Sequence, residues 1–346
     1  MQALVLDNCG ATVMTVTIQD IANAAKVSLS TVSRALADSP RVKLETRRRI
    51  QQFAREMDYS PSAIARGLAT KRTHTLGVVV RDIADAFVAE LVRAIDQAAL
   101  EGGYSLVLSH CSDNPQRQLS AFNILRQQRV DGIIVPDSST ADFFLPLLTE
   151  GDMPVILINH RTYRHSVGTD NEGAACMAVD YLAQLGHQRI AYIGGTRYRV
   201  ESEERKEGYQ RALAARGLSR DMSLMVDGEG DTEGGQKGMK QLLTLPQPPT
   251  AVFCFNDLTA LGAIGAIQAS GRRVPDDISV MGFDDITLNP YLHPPLTSVA
   301  QQKEQIAHMA VAMVLKLLMH ESVPVGQFLA GKLMPRGSTA PCVRPV

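Results

Sequence analysis

Apolar residues near the start of the chain recur three and four positions apart: Ile18, Ile21, Ala22 and Ala25, then Val32, Ala35 and Leu36, then Leu44, Ile50, Phe53, Ala54 and Met57. That spacing predicts three short amphipathic helices closing near Tyr59. Thr17 and Asp20 stand as a capping box for the first helix, and Ser28 as the cap of the second. If Val32, Ala35 and Leu36 bury against the first helix, then Leu29, Ser30, Ser33 and Arg34 are left facing outward. Such a pair reads as a helix-turn-helix, although periodicity alone fits a plain two-helix hairpin of a larger helical domain as well.

A serine and a proline at Ser60-Pro61 then start a helix barely two turns long, through Leu68. Nucleation dominates at that length, so the helix needs a partner or DNA to be ordered. Residues 69–75 read as a polar, basic linker. From Leu76 the pattern changes to buried-strand candidates at 76–80, 105–108, 132–135, 155–158, 189–193, 251–255, 278–282 and 297–299. Helical faces lie between them at 87–100, 116–126, 173–185, 205–216, 232–243 and 258–270, with another at 305–319. Alternation of this kind predicts parallel sheets covered on both faces, and its length predicts two similar lobes with a cleft between them. Ligands of such sheets bind outside the carboxyl ends of the strands. The residues there are polar: Asp82 and Asp85, Asp137 and Ser138, Asn159 and Arg161, Asn256 and Asp257, Asp284 and Asp285.

Charge decides between the two readings of the head. Residues 17–75 hold eleven basic against five acidic side chains, whereas the whole chain of 346 residues carries a net charge of −1. A basic head on an acidic body is what phosphate binding requires, because each neutralised phosphate releases counterions. A merely solvated surface accounts for the number of charges but not for their segregation. No apolar run reaches the length of a membrane span. The first sixteen residues lack a basic start and carry Asp7 inside the apolar run, so they do not read as a secretory signal. With the helical pattern beginning just after Met14, segment 1–16 reads as a disordered leader or a start-site artefact. Five scattered cysteines fit neither a disulfide framework nor a Cys-x-x-Cys metal site, and a cytoplasmic protein is expected.

The run from Thr17 to Leu36, followed by Asp58-Tyr59-x-Pro61 and Ala63-Ile64-Ala65-Arg66-x-Leu68, resembles the lactose-repressor/galactose-repressor (LacI/GalR) family of bacterial transcription regulators. Further matches follow in the family's order. They are Leu76-Gly77-Val78, Val130-Asp131-Gly132, Gly168-Thr169-Asp170-Asn171, Glu204-Arg205-x-x-Gly208-Tyr209, Asn256-Asp257 and Gly282-Phe283-Asp284-Asp285. The resemblance implies an N-terminal three-helix helix-turn-helix domain plus hinge helix, followed by an α/β two-lobed periplasmic-binding-protein-like (type I) domain. It divides the chain into a head at 17–59, a hinge helix and linker at 60–75, a body at 76–340 and a tail at 341–346. The first lobe takes about 76–159 and 303–327, the second about 160–302 and 328–340. It implies a homodimeric repressor of carbohydrate-utilisation genes, bound to double-stranded operator DNA and controlled by a small effector, a sugar or sugar derivative.

By the same resemblance, DNA contacts fall to Thr17, Leu29, Ser30, Thr31, Ser33 and Arg34 in the head and to Ser62, Ala65, Arg66 and Leu68 in the hinge, where Leu68 wedges into the minor groove. The effector cleft takes Asp82, Phe87, Arg161, Arg205, Asn256, Asp257, Phe283, Asp284 and Gln301. Arg205 and Asp284 can each grip vicinal hydroxyls, while Phe87 or Phe283 stacks on a sugar ring. A salt bridge to Glu201 is the competing role for Arg205, and Asp285 reads as structural. The chain departs from the family in Arg81, which precedes the cleft aspartate in place of proline, and in Gly228-Glu229-Gly230, where many members place an aromatic platform. A less aromatic cleft with Arg81 and Glu229 nearby favours a very polar ligand, a phosphorylated or an amino sugar. Two rival classes remain, a secreted solute-binding protein and a nucleotide-cofactor enzyme. The first has no use for the basic head. For the second, no Gly-x-Gly-x-x-Gly, phosphate-binding loop or catalytic constellation is present, and neither cofactor nor metal is expected.

Overall fold

The computed structural model describes residues 16–36, 38–59, 72–112, 114–136, 153–196 and 199–343. The expectations for segment 1–15, for the hinge residues Ser62, Ala65, Arg66 and Leu68, and for Asp137 and Ser138 lie outside the described residues. The chain divides into two compact units, Met1–Thr73 and His74–Val346.

In the first unit, α1 (Ile18–Ala25), α2 (Leu29–Leu36) and α3 (Leu44–Glu56) form where the periodicity places them. The capping box is present: the Asp20 amide donates to Thr17 Oγ1 at 3.4 Å, and the Asp20 carboxylate accepts the Thr17 amide at 2.8 Å. α1 ends on Lys26 in the left-handed conformation, and Ser28 Oγ accepts the Thr31 amide at 3.3 Å to open α2. Ile21, Ala22, Ala25, Val32, Ala35, Val42, Ile50 and Ala54 make the core. Leu44 is the exception. It is 56% exposed, because a residue six positions before Ile50 lies roughly 120° round the helix from the buried face. Part of the basic charge is structural: Arg49 donates to the Ala25 carbonyl at 3.1 Å, closing the end of α1, and Arg47 donates to the Ser39 and Val42 carbonyls.

The second unit contains two six-stranded sheets. The first is built from β1 (Thr75–Val80), β2 (Ser105–His110), β3 (Gly132–Val135), β4 (Val155–Ile158), β5 (Ser166–Thr169) and β11 (Gln327–Leu329), in the order β11-β5-β4-β3-β1-β2 with every neighbour parallel. α4 (Ala86–Glu101), α5 (Pro115–Gln127) and α10 (Lys303–Leu318) pack on it. The second sheet holds β6 (Ile190–Gly194), β7 (Met225–Asp227), β8 (Ala251–Cys254), β9 (Ser279–Asp284), β10 (Thr297–Ala300) and β12 (Lys332–Met334). Its order is β12-β10-β9-β8-β6-β7, and only the β10–β12 pair is antiparallel. It is covered by α6 (Asn171–Gln184), α7 (Val200–Ala215), α8 (Thr232–Leu243) and α9 (Asp257–Ala269).

These are the two parallel α/β lobes that strand and helix alternation predicts, but the chain passes between them at different points. β5 lies in the first sheet beside β4, and β11 joins it there, so residues 166–169 and Phe328–Leu329 belong to the lobe opposite the one expected for them. The ladder shows it: Ser166 and Val167 pair with Leu157 and Ile158 of β4, and Gln327–Leu329 pair with Val167–Thr169, which satisfies the backbone groups of both short strands. The lobes are therefore joined by three short connections, from Thr169 into α6, from Ala300 into α10 and from Leu329 into β12.

Candidate functional site

In the head, α2 presents the residues that periodicity leaves outside. Leu29, Ser30, Ser33 and Arg34 are exposed, Thr31 is half-buried, and Val32 and Ala35 are buried against α1 and α3. Leu29 keeps 43% of its surface open. Ser28 Oγ lies 2.9 Å from the hydroxyls of both Ser30 and Thr31, so the first turn of α2 carries a linked row of hydroxyls. Arg34 makes no ion pair among the described residues, in contrast to Arg47 and Arg49, which the fold itself uses. Thr17 is exposed on one side of this surface but spends its hydroxyl on the capping box.

In the second unit the polar strand ends converge between the lobes. A small inner cavity is lined by Asp85, Phe87 and Asn159 together with Arg205, Phe255, Asn256, Asp284 and Gln301. At its centre Arg205 is 3% exposed. It donates from Nε to Asn171 Oδ1 at 3.0 Å and from Nη1 to the Phe255 carbonyl at 2.6 Å, with Nη2 3.7 Å from Asp284 Oδ1. Its guanidinium sits 4.5 Å from the centre of the Phe255 ring and 3.7 Å from that of Phe283. Gln301, on the connection into α10, donates to Asp284 Oδ1 at 2.7 Å, and its carbonyl accepts the Thr169 hydroxyl at 2.7 Å. Asn159 accepts the Thr169 amide at 2.8 Å. Groups from both sheets thus meet around one aspartate. Burial pushes the Asp284 carboxyl up to about 8; Arg205 pulls it the other way, and Asp257 and Asp85 push with burial.

The outer cleft, about 490 Å³, is lined by Arg81, Asp82 and Asp85 from the first lobe and by Thr196, Asp227, Glu229 and Asp231 from the second. Arg81 is not a free cation: it pairs with Asp85 at 3.6 Å, and Asp85 also caps α4 through the Phe87 and Val88 amides. Arg199, of the inner cavity, pairs with Glu201 at 3.9 Å. The partner proposed for Arg205 on sequence grounds therefore belongs to Arg199.

Of the nine residues expected in the cleft, Phe87, Arg205, Asn256, Asp284 and Gln301 are brought together and Asp82 lies at the outer rim. Three are not part of the lining. Asp257 is fully buried and turned away: its carboxylate accepts Ser298 Oγ at 2.6 Å, the Ile286 amide at 2.9 Å and Asn289 Nδ2 at 2.8 Å. It fastens α9 to β10 and to the loop after β9, and burial pushes it up to about 6 against those three bonds. Phe283 is core, packed on Phe253, because successive strand residues point to opposite faces and Asp284 takes the cleft side. Arg161 is half-exposed, paired with Asp170 and Glu204 and stacked 4.7 Å from the Phe328 ring, where it ties two lobe connections together. Asn256 contributes less than its motif implies, since Oδ1 caps α9 through the Thr259 amide and Nδ2 donates to the Gly230 carbonyl.

Phe255 lies in the lining without having been expected there. Phe255 supplies the aromatic wall that the Gly228-Glu229-Gly230 segment lacks, and a side chain at Gly230 would crowd it at 3.2 Å. Its position next to Asn256 was the available signal. Asp285 is structural as expected, held by Arg336 at 2.6 Å, a partner no motif announces.

The model of the "bacterial regulatory proteins, lacI family" matches residues 17–62, and that of the "periplasmic binding protein-like domain" matches 179–339. The chain is 35% identical over 328 residues to the HTH-type transcriptional repressor CytR of Escherichia coli K12, covering 93% of this chain and 96% of that protein. It is 39% identical over 312 residues to the probable HTH-type transcriptional repressor ExuR of Bacillus subtilis, with 88% and 92% covered. Among solved structures it superposes on the Lac repressor dimer bound to operator and the anti-inducer ONPF with a TM-score of 0.86 at 30% identity, covering 94% of this chain and 99% of that one. With the CelR–cellobiose complex the TM-score is 0.71 at 31% identity, with 93% and 99% covered.

Proposed function

The chain belongs to the lacI family of bacterial regulatory proteins and is a DNA-binding transcriptional regulator, and from that premise we propose that it represses carbohydrate-utilisation genes under the control of a sugar or sugar derivative bound between its lobes. It acts as a homodimer in the cytoplasm, each head reading half of a near-palindromic operator, and by binding alone, without catalysis. Leu29, Ser30, Thr31, Ser33 and Arg34 read the major groove, with Thr17 near the backbone. Ser62, Ala65, Arg66 and Leu68 engage the minor groove from the hinge. Arg34 supplies the bidentate donor that suits a guanine edge, and Leu29 suits a thymine methyl.

The observation that carries the effector reading is the outer cleft of about 490 Å³ lined from both lobes, with Asp284 bonded to Gln301 and facing Arg205 at the small inner cavity beside the Phe87 and Phe255 rings. Converging hydrogen-bonding groups, the Arg205 guanidinium among them, beside a flat apolar wall suit a hydroxylated ring. Arg81 and Arg199 each pair with a carboxylate, while Asp82, Glu229 and Asp231 lie in the outer lining with no cationic partner among the described residues. That balance favours a neutral polyol or an amino sugar over a phosphorylated one. Titration calorimetry of the intact protein with cellobiose, glucose, glucosamine and glucose 6-phosphate tests the preference. Heat of binding from a neutral or amino sugar, lost in Asp284→Ala, supports it; binding of glucose 6-phosphate alone contradicts it.

A further inference from the structure

Lys303 is the first residue of α10, a poor place for a cation because the helix N-terminus is already positive, and its side chain is 10% exposed. Its ammonium donates to the carbonyls of Asp284 at 3.1 Å and Asp285 at 2.8 Å. These are two successive non-glycine residues with φ of 106° and 52°. A main chain held in that region is strained and persists only where its surroundings fix it. The charge of Lys303 is balanced by Glu90 of α4, 2.9 Å away, and the other Glu90 oxygen accepts the Thr287 amide at 2.7 Å. Burial pushes the Glu90 carboxyl up, but the Thr287 amide and Lys303 together hold it below the ordinary glutamate value. Glu90 and α10 belong to the first lobe, whereas 284–287 belong to the second. The Phe87 ring, one turn before Glu90 on α4, stands 5.9 Å from the same ammonium.

We infer that Glu90 and Lys303 are the positioning pair through which an effector in the cleft moves the first lobe. Asp284 and Phe87 line the cavity; the main chain of one and the helix of the other are joined by this pair. A ligand that displaces either must strain or release the interlobe bonds at Thr287, Asp284 and Asp285. Neither Glu90 nor Lys303 lines the cavity, so they transmit the displacement and do not contact the effector. This rests on the cleft being the effector site, as proposed above.

The test compares Lys303→Met, Glu90→Leu, which removes both acceptor oxygens, and the double variant with the unaltered chain, as intact protein without ligand. Ile286 and Thr287 are adjacent amides with different anchors: Ile286 is held by Asp257 within its own lobe, Thr287 by Glu90 across the lobes. The expected result is amide exchange at Thr287 at least about tenfold faster, with Ile286 unchanged. Operator affinity, read on a duplex selected by the unaltered protein, is expected to shift by about 5- to 150-fold, the range of ordinary allosteric coupling. The double variant should behave as either single one, because both break the same bridge. A purely structural role would accelerate both amides together and lower the melting temperature. That outcome, unchanged exchange at Thr287, or operator affinity shifted less than fivefold, overturns the inference. A failure to select any duplex counts against the regulator reading instead, and leaves the exchange result to decide on the pair. Should Lys303→Met not fold, Glu90→Leu alone decides, since it removes the acceptors while keeping a side chain of similar size.

Discussion

Asp284 and Arg34 represent the two ways a single residue is exposed to test. Arg34 is exposed and unpaired among the described residues, so Arg34→Ala should leave the melting temperature unchanged while costing about 1 to 3 kcal/mol of operator discrimination at one base pair. Fluorescence anisotropy on matched and mismatched duplexes measures it. Asp284 binds its proton more tightly folded than unfolded, about 8 against 3.8. Its contribution to stability is therefore complete below about pH 3.8 and is lost as pH rises through 8, and Asp257 shifts the same way up to about 6. Urea unfolding between pH 4 and 8 should show Asp284→Asn losing less stability across that window than the unaltered chain. At this scale the sequence was legible where a residue faces water or a cavity, and less so where two neighbours divide a task. Asn256 and Asp257 form one motif, yet the first caps α9 at the cavity and the second is consumed by Ser298, Ile286 and Asn289 behind it. Nothing in the local sequence separates those roles, because the partners come from distant segments.

Helices and long strands were legible as elements because each carries its own signal. α8 spans Thr232–Leu243 as the periodicity predicts, and β3 and β4 match to the residue. Strands β5, β7, β11 and β12 were not found. They are three or four residues long, all but β11 carry glycine or charge, and their pairing depends on a neighbouring strand from a distant segment. Packing of the helices turns on close approach. An added Cβ at Gly262 of α9 would meet the Thr232 carbonyl at 1.9 Å, whereas one at Gly265 meets nothing within 4 Å. Gly265→Ala should stabilise by about 0.5 to 1 kcal/mol through helix propensity, and Gly262→Ala should destabilise despite the same gain. Denaturant titration of the two variants distinguishes them. In the head, Thr17→Ala removes half of the capping box and should destabilise α1 by about 1 kcal/mol, visible as an earlier helical unfolding transition.

The molecule combines a basic reading head with a two-lobed body in which two of the three connections meet at the inner cavity: Thr169 bonds to Gln301 there, and Gln301 to Asp284. Anything that closes on the cavity therefore acts on those two joints. Lobe count and cleft position were legible from strand and helix alternation, but the exchange of β5 and β11 between sheets was not, since sheet membership depends on edges that no local pattern encodes. The head was legible from charge as much as from periodicity, and its phosphate contacts predict affinity that falls steeply with salt. The central claim is that one small molecule, bound between the lobes, alters sequence-specific DNA binding by the heads. The most direct measurement is to select duplexes from a random library with the intact protein. Anisotropy on the selected duplex is then followed during titration with neutral and amino sugars. The account predicts a near-palindromic sequence and at least one compound that changes its affinity by about 5-fold or more, an effect lost in Asp284→Ala. Binding that follows salt alone, without sequence preference, would contradict it.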